Sequence, residues 1–209
     1  MKRENAAADA DPESVRLSID TKAVINIGPY SRGGLSRGLR PVAAADHDLM
    51  AKEKLVPGGV LEMGSGRPFL FFTESCKTSD FMVDGLQLWW RENQGRMAGI
   101  KRVVINLDNG PECSGHRSQF LRRMVAFADR EELEVRLIYY PPYPSKYNGI
   151  ERYWGGLERS WNGYLARQRC RSSPAGQPVC LAIRPDDKHP AQRRLPEGRQ
   201  TLRQRKAGA

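Results

Sequence analysis

The feature that most constrains the fold is an apolar run, residues 103–107, that stops abruptly at Asp108-Asn109-Gly110-Pro111. Runs of this length that end in turn residues are typical of a strand buried on both faces of a sheet. The carboxylate of Asp108 therefore falls where the chain leaves the sheet, a position that suits a metal ligand. An Asp at this position is also typical of a residue that caps a turn. Taken alone, the stretch leaves both interpretations open.

A second carboxylate ends another predicted strand, residues 15–20, in which apolar and polar residues alternate up to Asp20. Residues 23–28 read as the antiparallel partner of this strand across a tight connection. A third carboxylate, Glu151, falls in the first turn of a helix that Asn148 is placed to cap. The patterns also predict strands at 60–63, 69–72 and 134–140 and helices that begin near Thr78 and near Ser114 or Ser118.

The charge distribution separates the last stretch of the chain from the rest. Residues 166–209 hold eleven Lys and Arg against three Asp and Glu, a net charge of +8 out of +10 for the whole chain. Residues 166–209 are also rich in Arg, Pro, Gln and Gly without helical or strand periodicity, which predicts a disordered basic tail. The predicted organisation is a flexible leader at 1–13, an α/β domain at 14–165 and the tail at 166–209. The abrupt change suggests a frameshift or truncation of the gene.

Composition also bears on location. No apolar run approaches the length that spans a membrane, and the N-terminus lacks the hydrophobic core of a signal peptide. The four cysteines show neither a CxxC pair nor zinc-ligand spacing, which favours ordinary reduced thiols. We therefore expect a cytoplasmic protein that makes no contact with membranes.

The order of these elements allows the three carboxylates to meet. Two strand-end Asp residues and a helix-borne Glu converge if the two strands are neighbours in a mixed sheet. Clustered carboxylate oxygens are what hard divalent cations such as Mg²⁺ require. A pair of such ions activates an attacking hydroxyl and stabilises the leaving oxygen, so no side chain needs to be the nucleophile.

Three motifs carry a family resemblance: Ser18-Ile19-Asp20-Thr21-Lys22, the stretch at 106–112 and the stretch at 141–151. They resemble the acidic motifs of insertion-sequence DDE transposases, which belong to the RNase H-like, retroviral-integrase superfamily. The third motif, Pro-Pro-x-Pro-Ser-x-x-Asn-Gly-Ile-Glu, is the most specific. The resemblance covers residues 15–165.

The resemblance implies an RNase H-like mixed β-sheet flanked by helices, with Asp20, Asp108 and Glu151 as catalytic ligands of Mg²⁺ or Mn²⁺. It further implies that the protein cleaves DNA phosphodiesters at transposon ends and transfers the 3′-hydroxyl to target DNA. The implied partners are DNA and, in the active complex, further copies of the chain, so the protein is expected at the bacterial nucleoid when DNA-bound.

Several other residues are candidates within this interpretation. Lys146 is placed to contact phosphate near the metals, and Asn109 is expected to steady Asp108 or contact the DNA backbone. Arg32 and Arg37 lie in a Gly-, Arg- and Ser-rich loop that either contacts phosphates or is a solvated surface loop. Glu112 is expected outside the metal ligands.

The chain departs from the family pattern at its N-terminus and after the third helix, where the basic tail replaces the family's usual segment. Family members usually carry an N-terminal helix-turn-helix region that recognises transposon ends, and residues 1–13 are too few to form one. The sequence therefore predicts a truncated transposase. The alternatives are a catalytically inactive remnant that only binds DNA, through salt-sensitive contacts of the tail, and a structure-specific nuclease on the same fold.

Overall fold

The computed structural model describes residues 1–30, 53–141 and 148–161. Four helices and six strands lie in these ranges. The helices are α1 (Lys2–Ala10), α2 (Ser79–Asn93), α3 (Ser118–Glu131) and α4 (Gly149–Trp161). The strands are β1 (Ser14–Thr21), β2 (Ile25–Ile27), β3 (Glu53–Glu62), β4 (Pro68–Thr73), β5 (Arg102–Leu107) and β6 (Glu134–Tyr139).

The strands form one mixed sheet with β1 at its centre. The order is β2-β3-β1-β5-β6, and β4 also pairs with β3. Strands β1, β5 and β6 run parallel, whereas β3 is antiparallel to its neighbours β1, β2 and β4. The carboxyl ends of β1, β4, β5 and β6 consequently lie at one edge of the sheet. This mixed sheet flanked by helices confirms the predicted RNase H-like fold.

Helices cover both faces of the sheet. Helices α2 and α3 pack against one face, where a large apolar core includes Leu17, Ile105 and Phe127. Trp89 and Trp90 lie in this core with 2% and 7% exposure, so the tryptophans of α2 are core residues. The other face is covered by α1 and α4.

Helix α4 packs closely onto β3 because the strand has a glycine at the contact. A Cβ atom built on Gly59 would lie 2.6 Å from Cδ1 of Ile150 and 3.0 Å from the ring of Trp154. Both side chains are buried beside Leu70 and Phe72 of β4. The absence of a side chain at Gly59 therefore lets the first turns of α4 lie against the sheet.

The predicted hairpin between the first two strands is wrong. Ile25–Ile27 pairs with the start of β3, where Ile25 lies opposite Leu55. Strand β1 already has β3 on one side and β5 on the other, so neither of its edges is free for β2. The connection at 22–24 also lacks the Asn-Gly or Gly-rich sequence that a tight hairpin favours.

The prediction of a flexible leader at residues 1–13 is wrong, because these residues contain helix α1. The Ala-rich sequence favours a helix, and Ala8 is buried against Val104 and Ile138 of the sheet. Polar contacts add to this packing, because Arg16 of β1 forms an ion pair with Asp9 at 2.7 Å. The first residues of the chain therefore belong to the folded domain.

Some predictions fall on residues outside the described ranges. The basic tail at 166–209 and the end of the domain at 165 are among them, so both remain predictions. None of the helices within the described ranges combines the length and apolar character that crossing a membrane requires.

Candidate active site

Asp20 lies near the carboxyl end of β1 and is held by two hydrogen-bond donors. The backbone N–H of Thr21 donates to Oδ1 at 2.7 Å. The indole Nε1–H of Trp154 in α4 donates to Oδ2 at 3.3 Å. The carboxylate is therefore oriented by its own strand and by the helix that covers it.

Asp108 follows the last residue of β5 directly and lies beside Asp20. Ser18 of β1 is opposite Asn106 in the parallel register, and two residues further along each strand come Asp20 and Asp108. Both carboxylates therefore leave the sheet at the same edge and on the same face. The buried β-branched run and the turn after it place Asp108 as the sequence predicted, and its side chain is exposed.

Two donors orient the Asp108 carboxylate. The N–H of Gly110 and the thiol of Cys113 approach its Oδ1 at 3.3 and 3.2 Å. Burial, and then the negative charge of Asp108, raise the pKa of the Cys113 thiol far above its usual range. Cys113 is therefore a protonated hydrogen-bond donor at neutral pH.

Glu151 lies in the first turn of α4 and is half-buried. A carboxylate at this position complements the positive end of the helix dipole. The first turns of α4 lie along the end of β1, since Ile150 binds Ser18 and Trp154 binds Asp20. Glu151 thus lies near enough to Asp20 for its negative charge to act on that carboxyl.

The pKa of Asp20 reflects its burial and its acidic neighbours. Burial, followed by the negative charges of Asp108 and Glu151, raises the pKa of Asp20 to about 7. The hydrogen bonds from Thr21 and Trp154 act in the opposite direction and are outweighed. All three predicted carboxylates therefore interact in the folded chain, although no three His, Cys, Asp or Glu side chains in the described ranges are close enough to form a ready-made metal site.

Glu112 adds a fourth carboxylate near the same corner. The hydroxyl of Thr21 donates to its Oε1 at 2.8 Å. A Cβ atom on Gly110 would lie 3.3 Å from both carboxylate oxygens of Asp108 and 3.4 Å from Oε2 of Glu112. Glu112 thus ties the turn after β5 to the end of β1, and its place outside the metal ligands remains a prediction.

Of the predicted DNA contacts, the structure describes one. Asn109 is exposed, and its Oδ1 accepts a hydrogen bond from the N–H of Gly115 at 3.4 Å. It therefore steadies the turn that follows Asp108. Lys146, Arg32 and Arg37 lie outside the described residues.

Sequence reasoning missed the residues that support the carboxylates. Ser18 contacts the start of α4, Trp154 binds Asp20, and Cys113 binds Asp108. A further omission is Lys77, whose Nζ donates to the carbonyl oxygen of Thr21 at 3.4 Å. One signal was available, since Ser18 is a polar residue in a buried strand and alternation places it on the face of Asp20.

The strand order and the flanking helices define a class of fold, the RNase H-like fold. The family model described as the Rhodopirellula transposase DDE domain matches residues 1–169, and the chain belongs to this family. The match includes residues 1–13, in agreement with the packing of α1. No curated protein matches the chain.

Among solved structures, the chain is similar to the one titled "Crystal structure of the Mos1 mariner paired end complex with Mn". The sequence identity is 8% and the TM-score is 0.47. The similarity covers 78% of this chain and 46% of that chain, so this chain spans less than half of the protein it resembles.

Proposed function

We propose that this DDE domain cleaves DNA phosphodiesters and transfers strands with two divalent cations held by Asp20, Asp108 and Glu151. The observation that supports it most directly is the parallel register of β1 and β5, which brings Asp20 and Asp108 to one edge of the sheet. Burial and its two acidic neighbours raise the pKa of Asp20 there to about 7. Acidic side chains brought together in this way repel one another, and a bound cation offsets that repulsion.

The donor set fits Mg²⁺ or Mn²⁺. All three side chains offer hard carboxylate oxygens, which these ions prefer over nitrogen or sulfur. When bound, two such cations supply an activated water or hydroxyl and stabilise the leaving oxygen of the phosphodiester. The negative charge of the cluster makes its affinity for cations sensitive to pH.

The residues of the chain orient this site. Thr21 and Trp154 fix the two oxygens of Asp20, and Gly110 and Cys113 fix Oδ1 of Asp108. These hydrogen bonds limit the orientations that the two Asp carboxylates can adopt. Cys113 is buried and protonated, so the thiol beside Asp108 is unsuited to act as a nucleophile, in keeping with attack by water or a DNA hydroxyl.

The proposed substrates follow from the family. Transposon ends and target DNA would lie across the edge at which β1 and β5 end. Lys146, Arg32 and Arg37 are proposed to contact phosphates, and Asn109 is proposed to position the turn that faces DNA. We also propose that the active complex contains more than one copy of the chain.

A cleavage assay with the wild-type chain tests this function. We expect nicking of supercoiled plasmid and of end-labelled duplex DNA in Mg²⁺ or Mn²⁺ and no nicking in a chelator, because the carboxylates alone do not activate water. Cleavage that persists in the chelator would contradict the metal mechanism. No cleavage with either ion, together with salt-sensitive DNA binding, would support the inactive DNA-binding remnant instead.

A further inference from the structure

We infer that Ser18 is a positioning residue of the carboxylate site, which clamps the first turn of α4 to β1 and so sets Glu151 relative to Asp20. The inference rests on the proposed function, since it concerns the geometry of the metal ligands. Ser18 is completely buried and lies two residues before Asp20 in β1. Alternation along the strand places both side chains on the face that α4 covers.

The hydroxyl of Ser18 makes two hydrogen bonds to the start of α4. It accepts the backbone N–H of Ile150 at 3.2 Å and donates its hydrogen to Oδ1 of Asn148. The first N–H groups of a helix have no partner within the helix, so a side chain outside it is needed to satisfy them. Ser18 therefore caps α4 from the neighbouring strand, and Asn148, predicted as the cap, directs its side-chain oxygen to Ser18 instead.

A third element meets Ser18 at the same point. Tyr140 follows β6, and burial raises the pKa of its hydroxyl, whereas the neighbouring Ser18 hydroxyl acts in the opposite direction. The serine thus lies where β1, the end of β6 and the start of α4 come together. Loss of this hydroxyl would therefore affect the contacts among these three segments.

The contacts on either side of Glu151 show why this matters for the site. Ile150, the residue before it, is bound to Ser18, and Trp154, three residues after it, is bound to Asp20. Glu151 therefore lies between two residues of α4 that are each hydrogen-bonded to β1. Packing of Ile150 and Trp154 over Gly59 sets the distance between α4 and the sheet. The hydrogen bond from Ile150 to Ser18 holds the first turn of α4, which carries Glu151, against β1.

An ordinary helix cap and a positioning residue predict different results. Loss of a cap lowers the melting temperature wherever the helix lies. Loss of a group that orients a metal ligand costs about 10- to 100-fold in metal affinity or activity. The dependence on metal concentration therefore distinguishes the two roles, whereas the melting temperature alone does not.

The test compares Ser18→Ala with Ser18→Thr, which keeps the hydroxyl, and with Ser14→Ala. Ser14 is a matched control because it lies at the other end of β1, where its hydroxyl binds Asp11 at 2.6 Å. Each protein is titrated with Mn²⁺ and then with Mg²⁺ while its melting temperature is recorded. The kcat and KM for plasmid nicking are measured at saturating and at limiting metal.

For Ser18→Ala we expect the metal concentration at half-maximal stabilisation to rise about tenfold or more, with a lower kcat and little change in KM for DNA. Ser18→Thr should recover part of the metal affinity, and Ser14→Ala should keep all of it. Should Thr not fold in this buried position, Ser18→Cys provides a nearly isosteric, weaker donor with an intermediate expected effect.

Unchanged metal dependence in a folded Ser18→Ala protein would overturn the positioning role and leave Ser18 as a plain cap. An equal rise in Ser14→Ala would overturn it as well, because the effect would then be general destabilisation. A wild-type protein that shows no stabilisation by either metal would overturn the metal site itself, and this inference with it.

Discussion

Replacement of Asp108 by Asn is expected to slow metal-dependent DNA cleavage by at least about a thousandfold, because loss of a charged metal ligand removes several kcal/mol of transition-state stabilisation. The folded structure should remain intact, since the side chain is exposed at the end of β5. The measurement is the initial rate of plasmid nicking at saturating Mg²⁺, together with DNA affinity in Ca²⁺. DNA affinity should change little, since the substitution removes no positive charge.

Asp129→Asn is the matched control for this experiment. Asp129 is an exposed residue of α3, on the face of the sheet opposite to α4. Its substitution changes the net charge of the protein by the same amount without touching the carboxylate cluster. Equal cleavage rates in Asp108→Asn and Asp129→Asn would contradict the assignment of Asp108 as a ligand.

Replacement of Asp20 by Asn is expected to make the metal-free protein more stable at pH 8. The pKa of Asp20 is about 7 in the folded chain against 3.8 for an ordinary Asp. Keeping this group ionised therefore costs the folded state up to about 4 kcal/mol, at about 1.4 kcal/mol for each pH unit of difference. Asn avoids that cost, but its one carbonyl oxygen can accept from only one of the two donors, Thr21 and Trp154. Loss of the other hydrogen bond lowers stability by about 1–2 kcal/mol.

The effect has a defined direction with pH. Because the pKa is raised on folding, the folded state binds more protons than the unfolded state between pH 4 and pH 7. The contribution of Asp20 to stability therefore falls as pH rises through this range and levels off above it. We expect Asp20→Asn to gain about 1–3 kcal/mol over wild type at pH 8 and about nothing at pH 5.

Denaturant unfolding in a chelator at the two pH values measures this difference, and comparison with wild type cancels the other titrating groups. Addition of Mg²⁺ at pH 8 should reduce the advantage of Asp20→Asn, because the cation stabilises only the wild-type carboxylate. Parallel pH dependences in the two proteins would show that the acidic neighbours of Asp20 do not act on it as the structure indicates.

The sequence was sufficient to place the carboxylates because each lies at a strongly marked local boundary. The apolar run before Asp108 and the alternation before Asp20 predict strands that end at those residues. Parallel neighbours then bring the two ends together. The helical spacing after Glu151 is equally local, so the main parts of the site were predictable.

Pairings that depend on the whole sheet were not predictable in this way. The hairpin of β1 with β2 fails because β3, far along the chain, occupies the edge of β1. Helix α1 was missed because Ala8 is buried against Val104 and Ile138, which are remote from it in sequence. The contact of Ser18 with Ile150 joins residues 132 positions apart, so no local pattern indicates it.

Calorimetric titration of the wild-type chain with Mn²⁺ at pH 7, repeated with Asp108→Asn, tests the central claim most directly. We expect Mn²⁺ to bind the wild type with release of about half a proton, seen as a heat that depends on the buffer, because Asp20 is about half protonated there and must ionise to coordinate. Asp108→Asn should bind at least about tenfold more weakly. Identical binding by the two proteins would contradict a metal site built on these carboxylates.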